Sequence, residues 1–184
     1  MNSTSRPPEP YKPGMPRLYV CSLALIAETV AKTGARSLVT LLSPGTEVQR
    51  PMHILPERHL HLAVSDIVEA TPGHVLPEAA HLDRLLRFVR GWDRAEPMLI
   101  HCFAGVSRST AAAYIAACAL APKRDELAIA RSLRAASPTA SPNTRLVALA
   151  DRALGRRGRM SEAIAGIGRG RDCLEGEPFA LELN

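Results

Sequence analysis

Apolar residues in this chain recur with two periods, and the places where the period changes mark its elements. The runs from Arg17 to Cys21 and from Ser37 to Leu42 are short and almost continuously apolar, as in strands covered on both faces. His59 to Val64 alternates and predicts a third strand within 58–64, while Met98-Leu99-Ile100 heads a fourth over 98–102. Between these the period lengthens. Leu23 to Thr33 predicts a short helix stopped by Gly34. Pro77 to Trp92 predicts an amphipathic one, with Leu82, Leu85, Leu86, Val89 and Trp92 on a single face. Three more follow over 108–120 (nearly all apolar, hence central), about 123–136 and about 143–155, with Pro138 and Pro142 parting the last two. Strands alternating with helices predict an α/β fold: a three-layer sandwich with a central, mostly parallel sheet flanked by helices.

The pattern also divides the chain. Residues 1–16 hold Pro7, Pro8, Pro10, Pro13 and Pro16 and read as a flexible or extended arm. Residues 17–160 read as one catalytic domain, and 161–184, where periodicity fades, as an extension without assigned structure. An apolar fraction of 46% with 22% charged residues suits one folded globule of 184 residues. No apolar run is long enough to span a bilayer, and the N-terminus lacks the apolar core of a signal peptide. Cys21, Cys102, Cys118 and Cys173 stand at neither metal-ligand nor disulfide-scaffold spacing, so a reducing, cytoplasmic setting is expected. His59 and His61 share one face of a strand, but two histidines with no third ligand make packing, not a metal site, the expectation.

A net charge of +5 changes the picture only slightly. Part of it lies late, at Arg152, Arg156, Arg157, Arg159, Arg169 and Arg171. That cluster reads as a solvated face, or as a surface attracting acidic substrates or anionic headgroups. With aromatics at 4% there are few stacking platforms, and no nucleic-acid partner is expected.

Candidate chemistry concentrates in His101-Cys102-Phe103-Ala104-Gly105-Val106-Ser107-Arg108-Ser109. A cysteine at a strand end, a short loop and an arginine opening a helix suit an anion-binding nucleophilic site. Backbone N–H groups of Phe103 to Ser107 can converge on a phosphate-sized dianion, and the helix N-terminus adds positive potential. The same field stabilises a thiolate. Arg108 offers a planar fork to two oxygens, and Gly105 permits a positive-φ turn with no Cβ in the ligand's way.

At these residues the chain resembles the cysteine-based protein tyrosine phosphatases, whose signature is His-Cys-x5-Arg-Ser/Thr. The resemblance implies a phosphatase fold and a cysteine-dependent phosphomonoesterase that works through a phosphocysteine, with no cofactor and no metal. It implies Cys102 as nucleophile, Arg108 as phosphate clamp, Ser109 as hydrogen-bond donor to the sulfur and His101 as an orienting residue. It also implies an aspartate general acid on a loop upstream. Asp66, 36 residues before Cys102 in Val-Ser-Asp-Ile and followed by Thr71-Pro72-Gly73, fits that place; Asp83, inside the amphipathic helix, and Asp93 are the rivals. There is no Trp-Pro-Asp triplet, since Val64-Ser65 precede Asp66, and no tyrosine-bearing loop that would deepen a phosphotyrosine pocket. Both departures look like the compact, dual-specificity branch.

The segment from Arg134 to Asn143, with its Pro-Asn before the last predicted helix, is similar to those compact members. Asn143 either bonds the active-site loop or the attacking water, or caps the helix over 144–155. Arg131 and Arg134 either contact substrate or decorate their helix. The loop carries no lysine, which favours a singly phosphorylated protein or other phosphomonoester over an inositol-phosphate substrate. A non-catalytic phospho-binding module is the non-enzyme alternative. Any of Cys21, Cys118 and Cys173 is a candidate to trap an oxidised Cys102 as a disulfide.

Overall fold

The computed structural model describes residues 17–183; the arm expected over 1–16 lies outside the described residues. Strands β1 (Arg17–Ser22), β2 (Ser37–Leu42) and β4 (Met98–Cys102) are buried at every position, as their almost continuous apolar runs predict. Side chains leave alternate faces. Leu18, Val20, Val39, Leu41, Met98, Ile100 and Cys102 enter a large core, while Tyr19, Cys21, Leu38 and Leu99 enter a smaller one behind the sheet. Strand β3 (His59–Ala63) lies at an edge and alternates, burying Leu60 and Leu62 and exposing His61 and Ala63. The sheet runs β3-β2-β4-β1-β5, with β1 to β4 mutually parallel and β5 (Phe179–Glu182) antiparallel to β1.

Helices α2 (Ala79–Arg90), α3 (Arg108–Leu120), α4 (Glu126–Ala136), α5 (Thr144–Ala153) and α6 (Arg159–Ile167) pack on the large-core face. Helix α1 (Ile26–Thr33) covers the other, with Ile54 and Val48 of the long loop after β2. The three layers and mostly parallel sheet are those expected. Several helix ends differ from expectation, because caps decide them. The first helix starts at Ile26, since Leu23 N donates to Phe103 O (3.1 Å). The fourth starts at Glu126, because the Asp125 carboxylate accepts from Ala128 N at 2.8 Å.

The boundary expected at 160 falls inside α6, and the chain beyond it is structured. The Asp151 carboxylate, on α5, accepts from Gly158 N (2.6 Å) and Met160 N (2.7 Å), so α6 is capped from another helix. Buried Glu126 binds Arg156 at 2.8 Å and Arg159 at 3.1 Å, joining α4 to α6. Arg156 is therefore buried against Glu126, while Arg159 pairs with the same carboxylate and stays exposed. No helix of the described residues is long and apolar enough to cross a membrane.

These connections place the site. The chain leaves β1 toward the small core and leaves β4 into α3 on the large-core face. Adjacent strand ends that diverge to opposite faces open a crevice, and ligands of open α/β sheets bind there. Ser22 and Cys102, paired in register, end those two strands.

Candidate active site

Cys102 ends β4 nine-tenths and more buried, and its Sγ lies 3.0 Å from Ser109 Oγ on the first turn of α3. With the sulfur as thiolate, that hydroxyl is the donor. Between them the loop's carbonyls are tied away from its centre. The Cys102 carbonyl accepts from His101 Nδ1 (3.3 Å), Phe103 O from Leu23 N (3.1 Å) and Ala104 O from Gly176 N (2.8 Å). Val106 O accepts from Ser141 N (2.9 Å) and Thr110 Oγ1 (2.6 Å), and Ser107 O accepts from Asn143 N (3.3 Å) and Ala111 N (2.9 Å). In a trans peptide the C=O and the following N–H point opposite ways, so each tie aims the next amide back into the loop. No N–H from Phe103 to Arg108 donates to another group of the described residues. The result is a ring of preorganised donors for an anion.

Gly105 makes the ring possible. Its φ is +74°, and a Cβ would lie 2.9 Å from Cys21 C and from Ser22 N, backbone atoms that have no room to yield. The expected need for a Cβ-free position is met, but the crowding comes from β1, outside the loop.

Arg108 is buried, its Nη1 donating to Val64 O (2.9 Å) and Ser43 Oγ (3.4 Å). Its Nε is buried with no hydrogen-bond partner, standing 3.9 Å from Asp66 Oδ2. An unpaired buried guanidinium N–H is costly unless a ligand completes it. One edge of the fork is thus spent on orientation and the other is left for an anion.

Asp66 stands over the loop. Its Oδ1 accepts from Ser107 Oγ and from Asn143 Nδ2, each at 2.8 Å, while Oδ2 faces Arg108. Neither rival is at the site: Asp83 is in α2 and Asp93 pairs with Arg58 at 2.8 Å. Of the roles weighed for Asn143 its side chain shows the cap, and its amide nitrogen turns to Asp66, a partner not foreseen for it. Its Oδ1 caps α5 by accepting from Leu146 N at 3.0 Å, and its Nδ2 holds the Asp66 carboxylate in place. Arg145 pins the rest of the Asp66 loop through Pro77 O (2.7 Å) and Val68 O (3.4 Å). A cleft of about 770 Å³ opens beside the loop, walled by Asp66, Ser107, Ser141, Asn143, Thr144 and Arg169.

His101 is fully buried, and burial lowers its pKa to about 4, so it is neutral and orienting. Arg134 is structural: it donates to Pro138 O, Ala140 O and Gly168 O at 2.7–2.9 Å. All four cysteines are free. Burial pushes the Cys21 and Cys118 thiols up to about 12, which keeps both protonated and inert. Cys173 is exposed. Among the described residues no three metal-ligating side chains gather.

Two contributions escaped the sequence. Gly176, whose N–H orients Ala104, and Glu175, bonded to Ser22 Oγ, belong to a C-terminal strap beside the loop. Thr40 Oγ1 lies 2.7 Å from His101 Nε2 and 2.8 Å from His59 Nε2. The motif itself gives no sign of either.

No protein-family model matches the sequence, and no curated protein matches it. Solved structures do. The PTP-2 phosphatase of Cydia pomonella aligns over 73% of this chain and 84% of its own, at 21% identity and a TM-score of 0.57. Human DUSP28 aligns over 82% and 95% at 21% identity and 0.56. A mouse putative dual specificity phosphatase, complexed with zinc tungstate, aligns over 89% and 96% at 18% identity and 0.58. The chain therefore has the fold of the compact tyrosine and dual-specificity phosphatases. At these identities the likeness speaks for the fold, and the chemistry rests on the residues.

Proposed function

We propose that this chain is a cysteine-dependent phosphomonoesterase that removes single phosphates from proteins, with tyrosine or dual specificity, in a reducing, cytoplasmic setting. The observation that carries the reading is the buried Nε of Arg108, without a hydrogen-bond partner, beside a ring of free amides, with Cys102 at its base. Fixed donors of this kind stabilise the charge that develops on the transferring phosphoryl oxygens. The names of the similar structures, all phosphatases, agree with it.

In the first step the thiolate of Cys102 attacks phosphorus, forming the S–P bond as the P–O ester bond breaks. The protonated carboxyl of Asp66 gives its proton to the leaving oxygen. In the second, Asp66 as carboxylate takes a proton from water, whose oxygen attacks phosphorus. The S–P bond breaks, and its electron pair returns to sulfur, where Ser109 donates to the re-formed thiolate. The cleft beside Asp66 receives the polypeptide that flanks the phosphorylated residue.

Hydrolysis of para-nitrophenyl phosphate by wild type, Cys102→Ser and Asp66→Asn tests this. Turnover in wild type and none in Cys102→Ser is expected. Equal rates in those two proteins would remove the reading.

A further inference from the structure

The contacts around Thr40 assign a role to a residue far from the loop in sequence. We infer that His59, on the edge strand β3, is a positioning residue for the nucleophile loop, acting through Thr40 and His101 on the backbone carbonyl of Cys102. The inference rests on the phosphatase reading for its kinetic consequence but not for its geometry.

The direction of every hydrogen bond in this chain of contacts is determined by chemistry. A carbonyl oxygen only accepts, so His101 Nδ1, 3.3 Å from Cys102 O, carries a proton. Burial keeps the His101 ring neutral, with one ring proton, so its Nε2 is an acceptor. The partner at 2.7 Å is Thr40 Oγ1, which therefore donates its only proton to His101. With that proton spent, Thr40 Oγ1 accepts at its second contact, 2.8 Å away, from His59 Nε2–H. The sequence of donation runs from His59 to Thr40 to His101 to the Cys102 carbonyl.

Each bond in such a chain polarises the next, and Thr40 and His101 are both fully buried, where the effect is least screened. The last acceptor matters most. Holding the Cys102 carbonyl outward turns the following amide, Phe103 N–H, toward the loop centre. His59 is thus the outermost member of a device that aims one phosphate donor. His59 is half-buried and stacks on His61, with ring centroids 6.2 Å apart and planes within 7°. This stack keeps its ring in place. No side chain of this relay needs to touch substrate.

Two variants separate positioning from packing. His59→Phe keeps a flat ring for the stack but removes the donor; His59→Gln restores an N–H where Nε2 stood. Loss of one hydrogen bond's contribution lowers kcat about fivefold in His59→Phe. KM stays unchanged, and His59→Gln recovers most of the loss. Long-range proton–nitrogen NMR of the wild-type protein reads the tautomers directly: His101 protonated on Nδ1 and His59 on Nε2. Finding His101 protonated on Nε2, or equal losses in both variants, overturns the proposal. If wild type shows no turnover at all, the phosphatase reading fails and the tautomer pattern alone decides this one.

Discussion

Replacing Asn143 separates two functions that one side chain performs. Its Oδ1 caps α5 through Leu146 N at 3.0 Å, and its Nδ2 holds the Asp66 carboxylate at 2.8 Å. Asn143→Ala removes both. Loss of the cap costs about 1 kcal/mol, and for a domain of this size that lowers Tm by about 2–4 °C. Loss of the donor to Asp66 leaves its carboxylate held by one hydrogen bond, from Ser107 Oγ at 2.8 Å, with Arg108 Nε at 3.9 Å. One hydrogen bond, worth about 1 kcal/mol, translates to about fivefold in kcat. Asn143→Ser keeps the two apart. Serine caps a helix about as well as asparagine, so Tm holds, but its hydroxyl is too short to reach Asp66. The assay compares an alkyl phosphate, whose leaving oxygen needs the proton, with para-nitrophenyl phosphate, whose leaving group needs it far less. The expected result is a kcat loss in both variants with the alkyl ester and almost none with the nitrophenyl ester. Losses that follow Tm across the two variants, or that are the same for both esters, would refute the assignment of Asp66 and Asn143.

Other outcomes follow from the same geometry. Ser109→Ala removes the hydroxyl 3.0 Å from Cys102 Sγ and should slow breakdown of the phosphocysteine more than its formation. Rapid-quench kinetics should then show a burst of nitrophenol, and a slow first step without a burst would contradict it. Gly105→Ala places a Cβ 2.9 Å from the backbone of Cys21 and Ser22 at a φ of +74°. It should cost more than about 2 kcal/mol by chemical denaturation and abolish turnover, and a mild phenotype would show the loop to be softer than its packing implies. Burial lowers the pKa of both His59 and His101 from 6.5 to about 4. The unfolded chain then binds more protons below pH 6.5, so stability present above that pH is lost as the pH falls toward 4. A Tm that stays flat from pH 7 to 4.5 would contradict this.

How much of this was legible in the sequence depended on how local each feature is. Cys102, Arg108 and Ser109 lie within eight consecutive positions, and the apolar run before them and the Ala-rich helix after them show their context directly. Asp66 was singled out because the resemblance implies an acid upstream of the cysteine, and a strand end before a Pro-Gly loop marked the place; β3 does end just before it. The strap was hidden. Its link to the loop is a single through-space bond from Gly176 N to Ala104 O, and β5, four residues long, carries too little periodicity to stand out. α6 was hidden because Asp151 of another helix supplies its cap. The role of His59 depends on the pairing of β2 with β3, which brings it to Thr40, and strand register is invisible until the sheet is assembled. Arg134 showed the opposite effect: its charge suggested substrate, while its neighbours are three backbone carbonyls.

The most direct test of the mechanism is to trap its intermediate. Wild-type protein mixed with a phosphomonoester and quenched in acid within a turnover should carry one phosphoryl group on the peptide containing Cys102, seen by mass spectrometry. Cys102→Ser should show no turnover. Rapid turnover with no phosphoryl group on Cys102, or turnover that survives Cys102→Ser, would contradict nucleophilic catalysis by this cysteine.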